Sequence, residues 1–251
     1  MIRIILRGCN GKMGHEITKL LKTDEQAAVV AGIDLTETRD KGYPVFTSFM
    51  DCNVIADVII DFSSPKKLDE MLQFAEKNRI PIVLCTTGLS AEDLKMVDRA
   101  SKNVAILRSA NMSVGVNTVM KLLKTAAQVL AGADFDIEIV EKHHNQKVDA
   151  PSGTALALAD TINEVLKDGY FYKFDRSSER KKREKKEIGI SAVRGGTIIG
   201  EHEVIFAGLD EVIEIKHTAY SRAIFAKGAI HGAKFLAGKV PGMYQMSDVI
   251  G

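Results

Sequence analysis

The stretch Ile2-Arg3-Ile4-Ile5-Leu6-Arg7-Gly8-Cys9-Asn10-Gly11-Lys12-Met13-Gly14 decides the fold. Its short apolar run predicts a strand, and the glycines that follow at once predict a tight turn opening a helix. Glycines in such a turn let the backbone approach a pyrophosphate closely. The start of the helix then offers free N–H groups and a partial positive charge to the phosphates. The spacing is G-x-x-G-x-x-G, not the commoner G-x-G-x-x-G, so the motif alone is weak and a turn that merely packs a helix on a sheet stays open. The context strengthens it. A second apolar run, residues 28–33, ends at Asp34, 20 residues past Gly14, where an acid suits the hydroxyls of an adenosine ribose. The Asp34 carboxylate would repel a 2′-phosphate and Leu35 is not basic, although Arg39 and Lys41 lie near enough in sequence to reach one. The expected cofactor is NADH or NADPH, with NADH favoured.

Outward from this loop, apolar runs at residues 3–7, 28–33, 58–62, 81–85 and 104–107 alternate with helical stretches at 65–78 and 91–101. Continuous apolar strands joined by helices are the pattern of a parallel sheet covered on both faces. Ser90 followed by Asp93 reads as a capping box. After Met112 the organisation changes. Val116, Met120, Leu123, Ala127 and Leu130 predict an amphipathic helix, and Phe135, Ile137 and Ile139 alternate with Asp136 and Glu138 as a strand with one wet face. A helix is expected from about Pro151, with Pro151 in its first turn and Ala155, Leu158, Ala159, Ile162 and Leu166 on one side. Residues 188–217 read as antiparallel strands broken at Gly195-Gly196 and Gly208-Leu209-Asp210, and residues 222–236 as a closing helix. The division expected is a first domain from 1–113 and 222–251 and a second from 114–221.

Composition narrows the function. The 34 basic and 33 acidic residues leave a net charge of +1, which gives no bulk attraction to nucleic acid or to an anionic membrane. The charged segment 176–186 lacks aromatic residues and reads as a solvated surface loop. Three scattered cysteines, Cys9, Cys52 and Cys85, suit neither a disulfide framework nor a metal site. The apolar run at the N-terminus is too short for a signal peptide, so a cytoplasmic protein is expected.

The densest chemistry lies at Glu141-Lys142-His143-His144-Asn145-Gln146-Lys147-Val148-Asp149-Ala150-Pro151-Ser152-Gly153-Thr154. Imidazoles exchange protons near neutrality, and a lysine adds a cation. Ser152, Gly153 and Thr154 at a helix start would turn N–H and hydroxyl donors outward. Together they predict a basic pocket for a small carboxylate. Histidines that only satisfy loop hydrogen bonds remain the plain alternative. A metal would need a third ligand at recognisable spacing, and none is seen.

Residues 143–155, HHNQKVDAPSGTA, resemble the signature of the 4-hydroxy-tetrahydrodipicolinate reductase (dihydrodipicolinate reductase) family. The likeness extends to the loop at 8–14, to Thr86-Thr87-Gly88, to a hinge at 109–117, and to Arg194-Gly195-Gly196, Gly200-Glu201-His202 and residues 221–229. It implies a Rossmann-like parallel-sheet domain, completed by the C-terminal helix, and a mixed α/β domain with an open sheet that binds substrate and joins a homotetramer. The implied reaction is reduction of 4-hydroxy-tetrahydrodipicolinate, a step of lysine biosynthesis through diaminopimelate. Carried over residue by residue, His143 is the proton donor and acceptor and Lys147 a proton donor. His144, Gly153 and Thr154 bind the dicarboxylate. Gly8, Cys9, Asn10, Gly11, Lys12, Met13, Asp34, Cys85, Thr86, Thr87, Ser109, Ala110, Asn111 and Met112 line the dinucleotide. Cys85 stands where the family commonly has glycine. Two other readings stay open: a different dehydrogenase with Lys147 as its acid, or a dinucleotide sensor without turnover.

Overall fold

The computed structural model describes residues 1–38, 40–167 and 169–251, and the chain divides into two compact units, Met1–Ser113 with Ala223–Gly251 and Val114–Arg222. The first unit begins β1 (Ile2–Arg7), α1 (Lys12–Leu21), β2 (Ala27–Ile33), β3 (Val45–Phe46), β4 (Val58–Asp61), α2 (Leu68–Asn78), β5 (Ile82–Leu84), α3 (Ala91–Ala100) and β6 (Ala105–Arg108). Ile4, Ile5 and Leu6 are wholly buried, as are Val58, Ile59 and Ile60. Burial on both faces explains why these strands read as unbroken apolar runs. Ser90 and Asp93 exchange both bonds of the capping box at the start of α3.

In the second unit, α4 (Val114–Leu130) precedes β7 (Asp136–His143), α5 (Gly153–Asn163), β8 (Phe171–Lys173), β9 (Glu187–Arg194), β10 (Gly200–Ala207) and β11 (Val212–Ala219). Leu123 and Ala127 of α4 and Leu158 and Ile162 of α5 pack on Ile137, Ile139, Ile188, Ile190, Val204 and Phe206. Truncating Leu123 to alanine would cost about 2–5 kcal/mol. The five strands are ordered β11-β10-β7-β9-β8. This corrects the antiparallel reading: β9 runs parallel to β7 and to β8, while β10 is antiparallel to β7 and β11. The cause is that β7 lies between β9 and β10, so Gly195-Gly196 opens a connection over β7 and is not a hairpin turn.

Two further expectations change. Pro151 lies before the N-cap, because the Ser152 hydroxyl accepts from the Ala155 N–H at 3.1 Å and sets the start of α5 at Gly153. Leu166 is past the end of α5. The segment 176–186 is the expected solvated surface loop, exposed except at the half-buried Glu179 and Arg183, and Arg176 and Arg183 are anchored. The Arg183 guanidinium pairs with Asp136 at 2.8 Å and Glu138 at 3.0 Å, and Arg176 pairs with Glu138 at 2.6 Å and with Glu187. The acidic face of β7 is what these arginines cover.

The chain re-enters the first unit as α6 (Ala223–Leu236), β12 (Gly242–Tyr244) and α7 (Met246–Ile250). Lys234 of α6 clasps both oxygens of Asp24, at 2.7 and 3.0 Å. The completed sheet is ordered β12-β6-β5-β4-β1-β2-β3 with every pair parallel. Its edges, β3 and β12, are too short to leave an apolar signature in the sequence. The order reverses between β1 and β4, so the loops leaving those strands face the crevice where such sheets bind ligands.

Candidate functional site

In the first unit the glycine loop follows β1 directly. Gly8 has φ +79°, and a Cβ there would stand 2.4 Å from the Phe62 carbonyl oxygen; a Cβ at Gly14 would stand 2.4 Å from the Gly8 carbonyl. Only glycine permits this turn. The Gly8 N–H donates to Ile33 at 2.9 Å and the Gly11 N–H to Gly8 at 3.1 Å. Gly11 caps α1 without a side-chain hydrogen bond, and no acid stands in the first turn. The amides of the first turn therefore keep their capacity for an anion. Asp34 accepts from the Asn10 N–H and from its neighbour Leu35, both at 2.7 Å. A cavity of about 530 Å³ joins Gly8, Gly11, Asp34, Phe62, Ser63, Ser64, Lys66 and Lys67. Its glycine floor, open amides and acid fit a dinucleotide. Lys41 turns its ammonium to the Cys9 carbonyl; Arg39 lies outside the described residues.

Beneath the loop is an ionic pair that the sequence reading missed. Asp61, wholly buried at the end of β4, meets the buried Arg7 guanidinium at 3.0 Å. The Thr86 hydroxyl donates to Asp61 at 2.8 Å, and the Ser63 N–H donates to it at 3.1 Å. Thr86 thus turns its hydroxyl toward Asp61, while Thr87 is exposed. Burial, with Asp61 adding its charge, pushes the Cys85 thiol well up from its ordinary value, and burial with Asp34 takes Cys9 to about 11. Neither is a thiolate at neutral pH. Ser109, Ala110, Asn111 and Met112 follow β6, with Met112 buried and Ala110 exposed. The signal for Asp61 was its place at the end of an apolar run, where an acid needs a buried partner.

In the second unit the alternation of β7 carries on past Ile137 and Ile139, so that Glu141 and His143 share the buried face. Glu141 is wholly buried. His143 Nδ1 lies 2.6 Å from Glu141 Oε2, the Arg194 guanidinium donates to both oxygens at 2.8 and 2.6 Å, and the Ser152 N–H donates to Oε1 at 2.9 Å. Burial works to raise the Glu141 carboxyl, but Arg194, His143 and the Ser152 amide outweigh it and hold the group below its usual value. The His202 ring packs edge-on to His143 with centroids 5.1 Å apart. Its Nε2 is 3.0 Å from the Ser152 hydroxyl, and burial with the neighbouring His143 lowers it to about 4.

Lys147 is half-buried and pairs with Asp149 at 2.7 Å. Its charge adds, as the smallest contribution, to the lowering of His202. The Lys147 ammonium, and to a smaller extent the Gly153 amide, hold Asp149 below the usual carboxylate range. His144 and Thr154 are half-buried and Gly153 is exposed at the start of α5. His143, Lys147, Gly153 and Thr154 are therefore placed around one loop and one helix start. Glu141 and His202 escaped the sequence reading of roles, although the period-two spacing of Glu141 from Ile139 and His143 marks its face. Among the described residues, no group of three His, Cys, Asp or Glu side chains is arranged to hold a metal, and no helix is long and apolar enough to cross a membrane.

Residues 2–112 match the family model for the N-terminus of dihydrodipicolinate reductase, and residues 115–250 match that for its C-terminus. The chain is 52% identical over 250 residues to the 4-hydroxy-tetrahydrodipicolinate reductase of Caldanaerobacter subterraneus subsp. tengcongensis, covering 100% of this chain and 98% of that one. It is 50% identical to the enzyme of the same name from Clostridium novyi, with the same coverage. Among solved structures, a dipicolinate-bound dihydrodipicolinate reductase from Paenisporosarcina sp. TG-14 aligns with a TM-score of 0.80 at 26% identity, covering 98% of this chain and 97% of that one. The chain belongs to the dihydrodipicolinate reductase family, oxidoreductases that reduce 4-hydroxy-tetrahydrodipicolinate to tetrahydrodipicolinate on the diaminopimelate route to lysine.

Proposed function

We propose that this chain carries out that reduction in the cytoplasm with a reduced pyridine dinucleotide, NADH in preference to NADPH, as a homotetramer joined through the second unit. The loop 8–13, with Asp34, Cys85, Thr86, Thr87 and residues 109–112, holds the dinucleotide. The reduced nicotinamide, when bound, supplies hydride. The chain's own residues do the rest. The open amides of α1 hold phosphate oxygens, and Asp34 takes the ribose hydroxyls.

In the second unit the Gly153 N–H, Thr154 and His144 bind the substrate's carboxylates. An arriving carboxylate competes with Asp149 for the Lys147 ammonium and the Gly153 amide, so binding exchanges one anion for another. The dipicolinate held by the Paenisporosarcina enzyme is an aromatic dicarboxylate of the same shape class. The 4-hydroxyl leaves as water, with His143 exchanging the proton at Nε2; the unsaturated ring then gains hydride at carbon and a proton from Lys147, and both side chains stabilise the charge that grows on the ring.

The observation that carries this reading is the pairing of His143 with a buried, ionised Glu141 beside the start of α5. The test is a coupled assay in which the preceding synthase generates the substrate, each cofactor is added separately, and absorbance loss is followed. Turnover with the cyclic substrate is expected, and its absence with both cofactors would sink the proposal.

A further inference from the structure

We infer that Glu141 is the positioning residue of this site: it fixes the His143 imidazole with Nδ1 protonated and Nε2 outward, and Arg194 holds Glu141 as an anion. The inference rests on the proposed role of His143 and adds to it a residue that does not itself meet the substrate. An ionised carboxylate only accepts hydrogen bonds, and a guanidinium only donates. The 2.6 Å contact at Oε2 therefore requires the proton on His143 Nδ1, which leaves Nε2 as the atom that gains and loses one. On that side of the ring stands Gly200, where a Cβ would lie 3.1 Å from Nε2.

Four donors from three residues converge on the carboxylate. They are His143 on the same strand, both terminal nitrogens of Arg194 at the end of β9, and the amide of Ser152, the residue whose hydroxyl caps α5. A single buried group thus orients the imidazole and anchors the helix start to which the substrate's carboxylates are assigned. Arg194 is tied in turn to the Asp149 carbonyl at 2.6 Å.

The charges facing His143 have definite signs. Glu141 on β7 favours the imidazolium. Arg194 on β9 and Lys147 on the loop oppose it, with Asp149 offsetting Lys147. His202 on β10, and His217 opposite it on β11, are both pushed toward the neutral form by burial. Removing Glu141's charge and removing Arg194's charge must therefore move the His143 titration in opposite directions. A residue serving only to pack the fold would not produce that pair of signs.

The experiment follows the His143 Cε1 resonance against pH in full-length enzyme labelled with ¹³C-histidine, assigned with His143→Gln. Glu141→Gln should lower the midpoint by about one pH unit or more, and Arg194→Gln should raise it. Glu141→Gln should also cut kcat about a hundredfold or more, with KM changing much less, because the imidazole loses its preferred tautomer. Glu141→Asp should recover part of both. If Glu141→Gln does not fold, the upward shift in Arg194→Gln still decides. Midpoints unmoved in the folded variants, or a wild-type ring protonated at Nε2 alone, would overturn the inference. Shifts of the expected signs with kcat within about twofold of the parent would leave the positioning intact and remove His143 from its proposed proton-transfer role.

Discussion

At the strand ends of the first unit, the groups left open around the glycine loop are main-chain amides, whereas at the end of β7 they are ionisable side chains. Both places suit anions, but by different means. In the first unit Gly8 and Gly11 supply backbone, and the polar side chains beneath the loop serve the fold: Arg7 and Thr86 both satisfy the buried Asp61. In the second unit the charged side chains are themselves the chemistry, and a single buried carboxylate keeps them in order. A backbone site tolerates change in its side chains so long as its turn survives. A side-chain site does not.

The largest expected effects separate the two designs. His143→Ala should lower kcat about 10²–10⁴ fold, with its main effect on rate, because the Glu141 carboxylate keeps its bonds from Arg194 and Ser152. Asp61→Ala should do the reverse. It strands the Arg7 guanidinium in the interior and should cost about 3–5 kcal/mol in urea unfolding, while the folded fraction keeps the parent's pH–rate profile. A His143→Ala enzyme with unchanged kcat, or an Asp61→Ala enzyme with altered pH dependence and unchanged stability, would break the contrast.

The next effect is a pH dependence of stability centred on His202. Its folded value of about 4 lies below the ordinary histidine value. The unfolded chain therefore binds the proton that the folded one refuses. Stability from this group is complete above about pH 6.5 and is lost as pH falls toward 4, by about 3 kcal/mol in all. His202→Gln, which keeps an amide beside Ser152, should flatten that decline in melting temperature between pH 7 and 4. A parallel decline in parent and variant would remove His202 as its source. Smaller again is Gly8→Ala. The left-handed backbone and the close Phe62 carbonyl predict a loss of about 1–3 kcal/mol and a higher KM for the dinucleotide. An alanine variant equal to the parent in both would show that the turn does not need glycine.

The same contrast explains what could be read in advance. The parallel sheet was legible because strands buried on both faces carry their own signature, and the glycine turn because its residue type reports its geometry. The edge strands β3 and β12 were not, since two or three residues hold no period. The mixed pairing of β9 was not either, because neighbouring in sequence says nothing of β7 coming between. His143, Lys147 and Gly153 were visible as chemistry in one contiguous segment. The groups that close around His143 were hidden, for Arg194 and His202 come from β9 and β10, 53 residues from Glu141 and 50 from Ser152. Local pattern specifies a strand's face but not what a distant strand brings to it.

Cofactor choice is where the first unit's side chains come closest to acting chemically, and the smallest effect is expected there. Asp34 is held by two amides in the cavity it shares with Gly8 and Gly11. That places its carboxylate where a ribose hydroxyl can donate to it and a 2′-phosphate is repelled. Two like charges about 4 Å apart in water repel by about 1 kcal/mol, which corresponds to roughly a fivefold preference for NADH in kcat/KM. Lys66 and Lys67 line the same cavity and work against that repulsion, so the preference should remain modest. Asp34→Asn removes the repelling charge while retaining a polar group for the ribose. It should bring the two cofactors near parity by raising NADPH use more than it lowers NADH use. A parent enzyme that favours NADPH would mean that the lysines, not the acid, set the field at this end of the sheet.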